Sequence, residues 1–136
     1  MKAMGIDFGM ARIGVALSDD TMFLASPFQT YKRKDIETDL NYFANLIKEK
    51  NVSLVVCGLP MNMQGEEQEI AKKTREFMAQ LKEKIDFELE FFDERLTSSI
   101  AEDILRETEK DWKKRKEKLD MVAASIILQD YLDMKR

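Results

Sequence analysis

A chain of 136 residues has room for one hydrophobic core, and residues 1–136 read as a single domain. The sequence is 44% apolar and 35% charged, carries a net charge of −4 and has no histidine, which excludes Ser-His-Asp catalysis, Cys-His catalysis and any histidine-ligated zinc site. No segment reads as a signal peptide or membrane span, so a cytoplasmic location is expected, and the lone Cys57 permits no intrachain disulfide.

In chain order, residues 3–8 form a short apolar run and predict a strand. Gly9–Arg12 predicts a turn, and residues 13–18 alternate with Ile13, Val15 and Leu17 on one face, which completes a hairpin. A third strand covers residues 24–31, where Pro27 calls for a sheet edge or a bulge. Ile36, Leu40, Phe43, Ala44 and Ile47 recur at helical spacing from Asp35 to Lys50. Residues 53–57 are continuously apolar, as in a parallel strand covered on both faces, with Cys57 as a small buried hydrophobe. A Gly- and Pro-bearing loop over 58–66 leads to a second helix with Ile70, Phe77, Met78 and Leu81 on one side. Residues 86–92 alternate again. Thr97-Ser98-Ser99 supplies an N-cap for a third helix, a basic polar connection follows, and residues 117–134 form a last helix. The order βββαβαβαα predicts an α/β fold, a mixed sheet with helices on both faces.

Three acidic motifs carry the chemistry. In Gly5-Ile6-Asp7-Phe8-Gly9 a carboxylate sits inside an apolar strand, a costly position unless it is paired or coordinates a metal. The alternative is a carboxylate that caps the hairpin turn. In Asp93-Glu94-Arg95 at the end of the last strand, alternation lets only one carboxylate share a site with Asp7; the bland reading is a charged loop. Asp120 shares a helix side with Ala123, Ala124 and Ile127, small residues that let the helix approach the sheet; otherwise it serves the helix dipole. Three carboxylates from separate segments suggest oxygen ligands for Mg²⁺ or Mn²⁺ and phosphodiester hydrolysis. Overall acidity is unfavourable for a nucleic-acid binder, so local basic patches are needed. Two exist, at Tyr31-Lys32-Arg33-Lys34 and at Lys110 through Lys118.

At these motifs the sequence resembles the YqgF/RuvX family, described as Holliday junction resolvases and linked to maturation of the small-subunit ribosomal RNA precursor. The resemblance runs through Gly5–Gly9 with Arg12–Ala16, Gly58-Leu59-Pro60 with Asn62-Met63 and Gly65, Asp93–Thr97, Lys113–Lys116, and Asp120 with Ala123-Ala124 and Ile127-Leu128-Gln129. It implies a ribonuclease H-like fold with a five-stranded mixed sheet, and a divalent-metal-dependent endonuclease that uses Asp7, Glu94 and Asp120 as metal ligands. Asp93 would orient a ligand or water from behind them. Arg12, Asn62, Arg95, Lys113, Arg115 and Lys116 would contact the nucleic acid. Met10, Ala11 and Gln64 depart from the family pattern, in which Thr, a basic residue and Asp are usual. The expected function is processing of pre-16S ribosomal RNA. The alternatives are resolution of branched DNA, which would call for a homodimer with paired active sites, and a non-catalytic nucleic-acid-binding module. An actin-like ATPase or sugar kinase shares the hairpin but needs two such domains, so length argues against it.

Overall fold

The computed structural model describes residues 1–61, 64, 67–93 and 97–136, the side chains of 97–99 excepted. Strands β1 (Lys2–Phe8) and β2 (Arg12–Ser18) form the predicted hairpin, with Asp7 paired to Gly14 and Gly5 to Ala16. Strand β3 (Ala25–Lys32) adds antiparallel to β2 and is one edge of the sheet. Both expectations for Pro27 are met at once. The strand is an edge, and its register slips between Gln29 and Pro27, so Phe28 is the extra residue of a bulge.

Helix α1 (Ile36–Glu49) starts at Asp35, whose carboxylate accepts from the Thr38 amide. It returns the chain to β4 (Val52–Leu59), which pairs parallel with β1. Helix α2 (Glu69–Lys84) then returns it to β5 (Glu88–Asp93), parallel to β4. The sheet order is therefore β3-β2-β1-β4-β5, the five-stranded mixed sheet expected from the sequence. One face packs Met4, Ile6, Phe8, Val55 and Cys57 against Leu40, Phe43 and Ile47 of α1 and Phe77, Met78 and Leu81 of α2. Each such side chain, when fully buried, stabilises the fold by about 1.5–3 kcal/mol.

The opposite face belongs to α4 (Trp112–Met134), against which α3 (Thr97–Thr108) packs. The cap expected at Thr97-Ser98-Ser99 lies outside the described side chains. Ala124, Ile127, Leu128 and Leu132 of α4 meet Ala3, Ala16 and Val56 of the sheet. The helix begins five residues earlier than its apolar pattern predicts. Its first turn is capped by Asp111, whose side chain accepts from the Lys113 amide. Residues 112–117 include Trp112, Lys113, Lys116 and Glu117, all exposed. A helical turn with no face to bury leaves no periodic signal, which is why it reads as a connection.

Two glycines set how closely α4 approaches. A β-carbon on Gly5 would lie 2.6 Å from the Ala124 carbonyl oxygen, and one on Gly14 would lie 1.9 Å from that of Asp120. Asp120 therefore sits over Gly14 and Ala124 over Gly5, so α4 runs antiparallel to β1. The far end of the helix is tied by Gln129, whose Oε1 accepts from the Ala25 amide at 2.8 Å and whose Nε2 donates to the Phe23 carbonyl at 3.1 Å.

Candidate nuclease site

Residues paired across antiparallel strands project to the same side of the sheet, so Asp7 shares the α4 face with Gly14. The Asp120 β-carbon lies 3.0 Å from the position a Gly14 β-carbon would take. With cross-strand β-carbons ~5 Å apart, those of Asp7 and Asp120 fall within roughly 9 Å of each other. Both belong to the edge where β1 ends and β2 begins. Asp7 is half-buried. Asp120 is held by Arg12, whose Nε donates to its Oδ2 at 2.7 Å. The pair is unequal in exposure, with side chains 44% accessible for Arg12 and 19% for Asp120. The Asp120 carboxylate raises the Arg12 pKa above its ordinary value, first through this hydrogen bond and then through its charge.

Asp93 falls elsewhere. On β5, Glu90 and Phe92 belong to the α4 side, where the Tyr131 hydroxyl lies 3.3 Å from Glu90 Oε1 and the Phe92 ring meets Tyr131. Alternation puts Asp93 with Phe91 and Leu89, on the α1–α2 side. Glu94, Arg95 and Asn62 lie outside the described residues. Among those that are described, no group of three acidic, cysteine or histidine side chains is arranged to hold a metal.

The basic residues divide into two concavities that meet at Trp112. Arg12, Lys32, Lys113 and Lys116 line a groove of about 320 Å³. Arg115 and Lys116 border a neighbouring one with Leu105 and Leu119. Arg115 also donates to the Glu109 carbonyl at 3.3 Å. Of the predicted contacts, Arg12, Lys113 and Lys116 thus share one groove, and its Arg12 end reaches Asp120.

Sequence reasoning missed a buried network behind the Asp7 turn. Asp39, fully buried in the first turn of α1, accepts from the Tyr31 hydroxyl at 2.8 Å, Arg33 Nε at 3.0 Å and the Lys34 amide at 2.9 Å. The Arg33 guanidinium lies 4.7 Å from the Phe8 ring centre and donates to the Gly9 carbonyl at 3.3 Å; its backbone amide donates to the Ala11 carbonyl at 2.9 Å. The turn that follows Asp7 is thus fastened at both ends to one arginine. A signal was available, since Asp39 stands three residues after Ile36 and four before Phe43, on the apolar stripe of α1. Burial, then the bond to Asp39, pushes the Tyr31 phenol up to about 12.

The model of the RuvX family, described as a Holliday junction resolvase, matches residues 1–134. A protein of Syntrophomonas wolfei named "Putative pre-16S rRNA nuclease" is 42% identical over 133 residues, covering 98% of this chain and 94% of its own. One of the same name from Fusobacterium nucleatum is 44% identical over 137 residues, covering 99% of each. Among solved structures, the RuvC of T. thermophilus in complex with a Holliday junction substrate superposes with a TM-score of 0.63 at 10% identity, covering 99% of this chain and 96% of that one. The fowlpox virus Holliday junction resolvase gives 0.59 at 15% identity, over 98% and 99%. At such identities the likeness concerns the fold alone, and that fold is ribonuclease H-like.

Proposed function

Because the chain belongs to the RuvX family of Holliday junction resolvases, we propose that residues 1–136 form one nuclease domain that trims the precursor of 16S ribosomal RNA with a divalent metal. Relatives named as nucleases of that precursor support the substrate. The observation that carries the site is that Asp7, near the end of the central strand β1, and Asp120 come to one face of the sheet with Gly14 between them. An oxygen-only donor set suits a hard cation, and Arg12 already presents a positive charge to Asp120 at 2.7 Å. Asp7 and Asp120, joined by Glu94, would hold Mg²⁺ or Mn²⁺. When bound, such a metal lowers the pKa of its water and polarises the phosphate.

The chain's own residues then do three things. Gly14 lets the backbone of α4 approach until Asp120 faces the same space as Asp7. Arg33 and Asp39 fasten the turn after Asp7 at Gly9, which limits how far the end of β1 can move. Arg12, Lys113 and Lys116 offer cations to successive phosphates. Of the acidic pair at the end of β5, Glu94 is kept as the ligand on the family resemblance and Asp93 as a residue acting from behind, in keeping with the α1–α2 side that strand alternation gives Asp93. No helix among the described residues is long and apolar enough to cross a membrane, and work on a ribosomal RNA precursor would locate the protein in the cytoplasm.

The second reading, resolution of branched DNA by a homodimer, draws on the family's description. The deciding experiment incubates the protein with a pre-16S fragment and with a four-way DNA junction, with Mg²⁺ or Mn²⁺ and then with chelator. Cleavage of the RNA that needs metal and disappears in Asp7→Asn is the expected result. Cleavage of the junction alone would move the function to DNA, and undiminished cleavage by Asp7→Asn would refute the site.

A further inference from the structure

Trp112 is the only tryptophan of the chain and is 62% exposed. It stands on the first residue of α4, where Asp111 caps the helix, and two concavities share it as a wall. The one that reaches the candidate site is lined, among the described residues, by Arg12, Lys32, Lys113, Lys116 and Glu117, with Arg12 paired to Asp120 at 2.7 Å. The combination is specific in what it fits. Three lysines beside the Arg12–Asp120 pair select a polyanion, and a broad exposed ring selects something flat to cover it. An unpaired nucleotide supplies both, a phosphate for the lysines and a base whose face stacks on indole. A duplex keeps its base faces inside the stack, and polyphosphate has none.

We propose that Trp112 is a stacking platform for an unpaired base, so that this protein engages its substrate on a single-stranded stretch beside the bond it cuts. The proposal rests on the nuclease reading for its substrate class but not for its test, because binding can be followed with no cleavage at all. The order of events is set by range. The lysines attract the strand from a distance, and the ring then holds one base by contact, which makes this base a fixed point for the rest of the strand.

As the sole tryptophan, Trp112 reports on itself. In chelator, the intact protein is titrated with an unstructured RNA oligonucleotide, the matching DNA, a fully paired duplex, inorganic polyphosphate and polyglutamate, while tryptophan emission and the anisotropy of a labelled strand are read together. The expected result is quenching by the single strands far beyond that by duplex or polyphosphate, with the tighter of the RNA and DNA arms naming the natural strand. Trp112→Leu should weaken single-strand binding about tenfold, Trp112→Phe should keep most of it, and both should bind polyphosphate as the parent does. The ring is exposed, so neither variant threatens folding. Unchanged strand affinity in Trp112→Leu, equal quenching by polyphosphate, or competition by polyglutamate as strong as by the strand would overturn the proposal. Confirmed stacking together with full cleavage by Asp7→Asn would refute the metal site and leave Trp112 standing.

Discussion

Replacing Gly14 with alanine puts a methyl group where the backbone of α4 already lies. The new carbon would be 1.9 Å from the Asp120 carbonyl oxygen and 2.3 Å from its carbonyl carbon. Neither is the free end of a side chain, so the helix itself must retreat. Restoring an ordinary contact of 3.4 Å requires a displacement of ~1.5 Å, and overpacking of this kind costs about 3 kcal/mol. For a chain of this length that lowers Tm by roughly 10 °C. The functional loss should be larger in proportion. A metal site tolerates ~0.5 Å of ligand displacement, so withdrawing Asp120 from Asp7 should reduce cleavage about 100-fold at a temperature where the variant is still folded. Gly5→Ala is the control. It meets Ala124 and Leu128 instead, at 2.6 and 2.8 Å, one helical turn further from Asp120, and should destabilise with less effect on cleavage. Thermal melts and single-turnover cleavage of all three proteins provide the measurements. A Gly14→Ala variant that melts and cuts like the parent would refute the close approach and the role given to it.

Three further outcomes follow from the same geometry. Arg12→Gln removes the cation that now occupies Asp120, so calorimetry should find Mn²⁺ bound severalfold more tightly, while the salt dependence of oligonucleotide binding flattens by ~1 in slope. Weaker Mn²⁺ binding would instead mean that Arg12 orients Asp120. Asp39→Ala strips Tyr31, Arg33 and Lys34 of a shared partner and should cost about 3–5 kcal/mol in denaturant unfolding; a loss below 1 kcal/mol would count against the network. The Tyr31 phenol, whose ordinary pKa of 10.0 rises to about 12 through burial and then Asp39, is protonated in the fold beyond the point at which it ionises in the unfolded chain. Its contribution is therefore whole below pH 10 and is lost as pH rises toward 12. Tyr31→Phe should lack that part of the alkaline loss, and identical stability slopes above pH 10 would contradict it.

Much of this was legible because burial imposes a period. The apolar runs of β1 and β4 and the stripe of α1 identify themselves by what must face the sheet, and Pro27 announces the edge and the bulge because it lacks an amide proton. Asp120 could be assigned to the sheet side of its helix from Ala123, Ala124 and Ile127 alone. Three features escaped, each for its own physical reason. The first turn of α4 buries nothing and so shows no period. Asp39 is a charge on an apolar stripe whose partners, Tyr31 and Arg33, come from the preceding strand and connection. The face that Asp93 takes on β5 needed the Tyr131 contacts to Glu90 and Phe92 and the packing of Leu89 and Phe91, whereas the preference for Glu94 as a ligand rests on the family resemblance.

The length of α4 has a consequence of its own. Trp112 and Asp120 lie on one continuous helix of 23 residues, eight positions apart, or about 12 Å along the axis. Nucleotides stacked along a strand rise ~3.4 Å each, so the interval matches roughly three to four of them. If a base is clasped at the first residue of this helix and a phosphate cut beside Asp120, the stretch of helix between them is a ruler. The offset of the cut from the gripped base is then written in the number of residues between them, and inserting one helical turn there should move the cut by one to two nucleotides.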